Sequence, residues 1–117
     1  MRCENLDVWK RACRVCVDIY KYFKDLKDYG FKDQITRSAL SVLSNIAEGV
    51  ERFSKQETIR FLDIARASCA ELITQIYIAI EIGYILNNDG FKLKNEIEEI
   101  SKMVTSLIKK YKRVRRE

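Results

Sequence analysis

Histidine and proline are both absent from this chain of 117 residues, and glycine occurs only four times. Without histidine, the commonest general acid–base group and a leading metal ligand are missing. No glycine-rich phosphate loop can be assembled, because Gly49 stands alone near a helix end. With no proline and little glycine, few residues interrupt a helix. Long apolar runs are missing too. The longest, Ile76 to Ile80, falls far short of the ~20 residues a membrane span needs. The opening MRCENLDVWKR puts acidic residues where a secretory leader has its apolar core, so the chain reads as cytosolic.

Four cysteines are present: Cys3, Cys13, Cys16 and Cys69. The Cys13-x-x-Cys16 spacing invites a redox or zinc reading, but both would sit in mid-helix on an apolar face. A redox pair wants the first turn, where the helix N-terminus lowers the thiol pKa. Zinc wants four ligands, which here would require Cys3 and Cys69 to converge as well. The cysteines therefore read as small buried thiols in a reducing compartment. No metal or cofactor is expected.

What is present is helical periodicity. The stretch QITRSALSVLSNIAEGVER, residues 34–52, has apolar side chains at Ile35, Ala39, Val42 and Ile46. That spacing marks one face of an amphipathic helix. Leu40, Leu43, Ala47 and Val50 form a second apolar group beside the first. Ser38, Ser41, Asn45, Glu48 and Arg52 form a third row, small or hydrogen-bonding, suited to close helix approach or to bridging. This helix is expected to serve two interfaces, one within its bundle and one beyond it.

Four helices are expected, at about 7–27, 32–51, 54–86 and 91–115. The first has a seam of Trp9, Cys13, Cys16, Tyr20, Phe23 and Leu26, closed by Tyr29-Gly30. The third opens on Ser54-Lys55-Gln56-Glu57, a capping-box pattern, and runs unbroken to about Leu86, with Gly83 on its main face. Ile59, Ile64, Tyr77, Ile78 and Ile82 fall outside that face. Asn87-Asn88-Asp89-Gly90 reads as a turn. The fourth carries a heptad at Leu93, Ile97, Ile100, Val104, Leu107, Tyr111 and Val114. Short connections make neighbours antiparallel, so the chain is expected to be one all-α domain over 1–117, an up-down-up-down four-helix bundle.

The run from Gln34 to Ile85 also resembles a known family. Gln34, Arg37, Ser38, Ser41, Asn45, Ile46, Ala47, Glu48, Gly49 and Arg52, then Phe61, Leu62, Ala65, Ser68, Glu71 and Leu72, fall on its pattern. The N-terminal NLDVWKRA is similar to the family's opening. The family is that of the 23S rRNA intervening-sequence proteins, also labelled S23-type ribosomal proteins. Leu43 stands where many relatives carry proline, and the C-terminal third matches only in being helical. The resemblance implies a four-helix bundle assembled into a ring-like homo-oligomer, commonly a pentamer, with no established enzymatic activity. The Arg37–Ser38–Ser41–Asn45–Glu48–Arg52 set then becomes a candidate subunit contact.

Charge points to the ligand class. Residues 91–117 carry nine Lys and Arg against four Asp and Glu, whereas residues 54–90 carry three against five. Lys109, Lys110, Lys112, Arg113, Arg115 and Arg116 place six cations within eight residues. Such a cluster displaces counterions from a nucleic-acid backbone. Cations also suit the negative end of a helix dipole, and that alone would place them there. Lys10, Arg11 and Arg14, with Arg37 and Arg66, are further candidates. Carboxylate pairs such as Glu96 and Glu99 read as solvated faces, since a di-metal bundle also needs Glu-x-x-His units. The expectation is a non-catalytic bundle that binds RNA or DNA through a basic surface. The alternative is a protein-interaction scaffold, because the family is similar to the accessory bundle proteins of retroelement reverse transcriptases.

Overall fold

The computed structural model describes residues 2–113, and Arg115 and Arg116 of the basic cluster lie outside that range. A short 3₁₀ turn, Arg2–Asn5, precedes four helices: α1 (Asp7–Tyr22), α2 (Tyr29–Val50), α3 (Lys55–Glu81) and α4 (Asn87–Arg113). No strand occurs among the described residues. Close backbone contacts join α1 to α2, α2 to α3, α3 to α4 and α4 back to α1, with none across either diagonal. Partner positions fix the directions. Ser38 meets Glu71 while Ser41 meets Ser68, and Arg11 meets Glu96 while Tyr22 meets Leu86. In each pair one number rises as the other falls, so neighbours are antiparallel. The result is an up-down bundle of 51 × 21 × 20 Å.

The expected face of α2 is the buried one: Ile35, Ala39, Val42 and Ile46 all enter the core. On α3 the buried positions are Thr58, Leu62, Ala65, Ser68, Cys69, Leu72, Ile76 and Ala79, one stripe at helical spacing. In α4 the heptad holds at Ile97, Ile100 and Val104, after which Ile108 is buried and Leu107 only half-buried. A straight helix drifts ~20° per heptad against a strict 3.5-residue repeat, which moves the seam by one position.

In α1 the seam is corrected. Val8, Ala12, Val15, Cys16, Ile19 and Phe23 form it, while Tyr20 is 45% exposed. Two rows with the same spacing run along this helix. The row of smaller branched residues fills the bundle interior, and Tyr20 faces outward with its hydroxyl in reach of water.

Four boundaries also differ from expectation. Helix α1 ends at Tyr22, and Tyr29-Gly30 begins α2 instead of closing α1. Asp28 is the reason: its side chain accepts from Phe31 N at 3.2 Å, satisfying one of the four orphan donors of the new helix. Tyr84 Oη donates to the same carboxylate at 2.7 Å, and these two bonds hold Asp28 below its ordinary pKa. Helix α3 stops at Glu81 because Gly83 takes φ +80°. Tyr84 N then donates to Ala79 O at 2.8 Å and Gly83 N to Ile80 O at 3.2 Å, the two bonds of a Schellman stop. Asn87 to Gly90 are the first turn of α4 and not a loop, with Gly90 N donating to Leu86 O at 2.8 Å. Asn and Asp suit helix starts as well as turns, so that signal was ambiguous. The Ser54 cap stands as expected, its side chain accepting from Glu57 N at 3.3 Å.

A Cβ at Gly83 would meet nothing within 4 Å, so only backbone strain opposes substitution there. Gly83→Ala is expected to lower the unfolding free energy by about 1 kcal/mol in urea, with Gly83→Asn losing less. Equal stability of all three proteins would contradict this reading of the α3 stop.

Candidate functional site

Two surfaces gather the residues singled out above. The first is the seam between α2 and α3. Ser38 Oγ, buried, donates to Glu71 Oε1 at 2.7 Å, and the Ser41 and Ser68 hydroxyls share a hydrogen bond of 2.8 Å. Asn45 Nδ2 donates to Ser41 O at 2.8 Å and to Ser41 Oγ at 3.0 Å. Further along, a Cβ at Gly49 would stand 3.2 Å from both Phe61 Cβ and the Thr58 carbonyl oxygen, so a larger residue would push α3 away by a few tenths of an ångström. Arg52 closes the row, donating to Glu48 at 3.0 Å with its guanidinium 4.8 Å from the centre of the Phe61 ring. Ser38 and Ser41 are thus rungs onto α3 of the same chain, and Asn45 braces Ser41 from within α2. On its outer side, Gln34, Arg37, Ser38, Ser41, Glu71 and Gln75 line a groove of about 320 Å³. Sequence spacing gave the α2 half of this arrangement. It could not give the pairing with Ser68 and Glu71, which needs the hairpin register.

The second surface is the end of the bundle where α4 finishes. Lys109, Lys110, Lys112 and Arg113 are exposed and form no ion pair among the described residues. They do not share one face. Lys110 borders a cleft of about 310 Å³ with Leu6, Asp7, Val8, Met103, Ser106 and Leu107, between α4 and the start of α1. Lys109 and Lys112 follow Thr105 at helical spacing, on the side where Arg66 Nη1 donates to Thr105 Oγ1 at 3.4 Å.

The other cations divide. Arg11 is committed to the bundle, donating to Glu96 at 2.6 and 2.8 Å and to Met103 Sδ at 3.3 Å. That two-point pair raises the pKa of Arg11 and lowers that of Glu96. Arg66 is paired with Asp63 at 2.6 Å. Lys10, Arg14 and Arg37 remain exposed.

A third collection was missed by the sequence reading. Tyr20, Lys24, Lys32, Asp33, Thr36, Arg37 and Leu40 line a groove of about 440 Å³ between α1 and α2. Tyr20 read as core, and only the α1–α2 hairpin brings Lys24, Lys32 and Arg37 beside it.

The thiols do not assemble. All four cysteines are free, and burial pushes Cys69 up to about 12 and raises Cys13 and Cys16. Among the described residues no group of three or more Cys, Asp or Glu side chains is placed to hold a metal ion. No helix among them is long and apolar enough to cross a membrane.

These features define a four-helix bundle with a polar-rung α2–α3 seam and a cationic end. The chain belongs to the 23S rRNA-intervening sequence protein family, whose pattern it matches over residues 4–106. Its fold is similar to the crystal structure, at 1.70 Å resolution, of a protein with unknown function from the S23 ribosomal protein family of Bacteroides thetaiotaomicron VPI-5482. The two are 28% identical with a TM-score of 0.82, over 87% of this chain and 98% of that one. No curated protein matches it.

Removing a rung tests the seam. Ser41→Ala leaves Ser68 Oγ short of a partner in a buried setting and is expected to lower stability by about 1–2 kcal/mol in urea. Ser41→Ala with Ser68→Ala should lose less than the sum of the two single variants, because they break one shared bond. Strict additivity would contradict the pairing.

Proposed function

We propose that this protein is a non-catalytic, cytoplasmic homo-oligomer that binds RNA or DNA through the cationic end of α4. One observation carries the reading: Lys109, Lys110, Lys112 and Arg113 are exposed and unspent, whereas two of the acids earlier on α4 are engaged. Glu96 is held by Arg11, and Glu98 lies 2.9 Å from Lys94. Cations at a helix end favoured by the dipole would still be available to phosphates. The family name, a protein of a 23S rRNA intervening sequence, agrees with an RNA ligand. Binding of this kind is backbone-directed and weakly sequence-specific.

Assembly into a ring, a pentamer by resemblance to the family, would repeat the cationic end and multiply its weak contacts. Exposed apolar side chains support assembly: Val17, Ile64, Ile78 and Ile82 are each 40–52% exposed. Glu48, an exposed member of the α2 motif, would lie at or near the contact between subunits, with Asn45, Arg52 and the rungs of Ser38 and Ser41 beside it.

A second reading is a scaffold for a protein partner, such as a reverse transcriptase. It is favoured by α3, where no Lys or Arg occurs between Arg66 and Lys92 and where Ile78 and Ile82 face outward.

Binding of a labelled structured RNA across a salt series separates the two. Six engaged cations per chain at single-stranded sites predict a log–log slope of about −4, from ~0.7 per contact. Replacing Lys109, Lys110, Lys112, Arg113, Arg115 and Arg116 with Gln, which keeps Tyr111 packed, should flatten that slope and weaken binding at least tenfold. Unchanged RNA binding by the neutralised protein would overturn the assignment to α4. No RNA binding at low salt by the wild-type oligomer would favour the scaffold.

A further inference from the structure

The groove between α1 and α2 is distinct from the cationic end of α4 and has a different chemistry. Its walls combine an exposed aromatic ring, cations and an apolar side chain. Tyr20 and Leu40 are each 45% exposed, and Lys24, Lys32 and Arg37 surround them, with Asp33 the one acid. None of these three cations forms an ion pair among the described residues. Lys32 instead fixes the geometry. Its Nζ donates to Lys24 O at 2.7 Å and lies 5.6 Å from the centre of the Tyr29 ring, so it ties the turn after α1 to the first turn of α2. Tyr29 is itself 65% exposed.

Tyr20 thus lies beside two cations, Lys24 and Arg37, that no carboxylate among the described residues holds. A tyrosine face stacks on a nucleobase, Leu40 offers apolar surface to its edge, and Lys24 and Arg37 suit the adjoining phosphate. At about 440 Å³ the groove lies within the 300–1,000 Å³ range of ligand sites and accommodates one nucleotide.

We infer that this groove is a second nucleic-acid site, which takes one unpaired nucleotide of a single strand by stacking its base on Tyr20 and holding its phosphate with Lys24 and Arg37. The site discriminates single strands from duplex, because a base already stacked in a helix presents no free face. It does not discriminate sequence, since every base has a stacking face. The inference deepens the nucleic-acid reading, but it depends on α1 and α2 rather than on α4.

The test uses the full chain with its six α4 cations neutralised, so that loss of the α4 site and loss of the groove are read separately. Fluorescence anisotropy with labelled hexaadenylate at low salt should show binding that survives neutralisation. Tyr20→Leu should weaken it about tenfold or more, and Tyr20→Phe should retain it because the ring remains. Lys24→Gln should weaken it severalfold and reduce the salt slope by about 0.7. An abasic hexamer should bind the parent about tenfold less tightly than hexaadenylate, and this preference should vanish in Tyr20→Leu. Equal affinity of the parent and Tyr20→Leu would overturn the proposal, as would equal affinity for the abasic strand. A Tyr20→Leu protein that keeps hexaadenylate affinity but loses its assembly on sedimentation would show that a second copy of the chain covers the groove instead. Tyr20 is exposed, so its variants should fold, and circular dichroism checks this.

Discussion

The register of α2 against α3 governs the rest of the molecule. Ser38 to Glu71 and Ser41 to Ser68 are separate rungs one helical turn apart, and sliding either helix by a residue breaks both. A hydrogen bond to a charged partner such as Glu71 is worth about 1.5–3 kcal/mol, and the neutral hydroxyl pair about 1 kcal/mol. Apolar packing along the seam is stronger in total but less selective, since Leu, Ile and Ala contacts tolerate small shifts. The rungs therefore set position, and the buried Ile35, Ile46, Leu62, Leu72 and Ile76 supply most of the free energy. Gly49 permits the same two helices to close together toward their connection.

With that pair fixed, α1 and α4 are laid against it and tied to each other by Arg11 and Glu96. This arrangement separates charge along the bundle. The α4 cations arrive at the end where α1 begins, as the cleft shared by Lys110, Asp7 and Val8 shows. The tyrosine-bearing α1–α2 groove lies toward the connection of those two helices. Residues 67–91, from α3 into the start of α4, carry no Lys or Arg, and Tyr77, Ile78 and Ile82 are exposed there. One face thus suits phosphate and another suits protein, the division that the proposed nucleic-acid-binding oligomer requires.

Much of this was legible in the sequence, for physical reasons. Apolar periodicity in α2 named Ile35, Ala39, Val42 and Ile46 as buried, because those four positions share one helical face. The Ser54 cap was legible because its chemistry is local. Helix α1 was misread by one row, since Trp9, Cys13 and Tyr20 repeat at the same spacing as Val8, Ala12, Val15 and Ile19, and size does not decide which row is inside. The stops at Tyr22 and Glu81 were missed because Gly30 and Gly83 each fitted another role. Gly30 looked like a cap yet lies inside α2, and Gly83 looked like packing yet ends α3. The α4 cations were visible as a cluster. The Tyr20–Lys24–Arg37 groove was not, because it exists only after the chain doubles back.

Hydrogen–deuterium exchange of the full-length protein, with and without a saturating unstructured RNA, tests the central claim most directly. The account predicts slower exchange in the last two turns of α4 and around the α1–α2 connection, with the α2–α3 seam already slow and unchanged. Protection confined to the outer face of α3, or none anywhere in the presence of RNA, would contradict it.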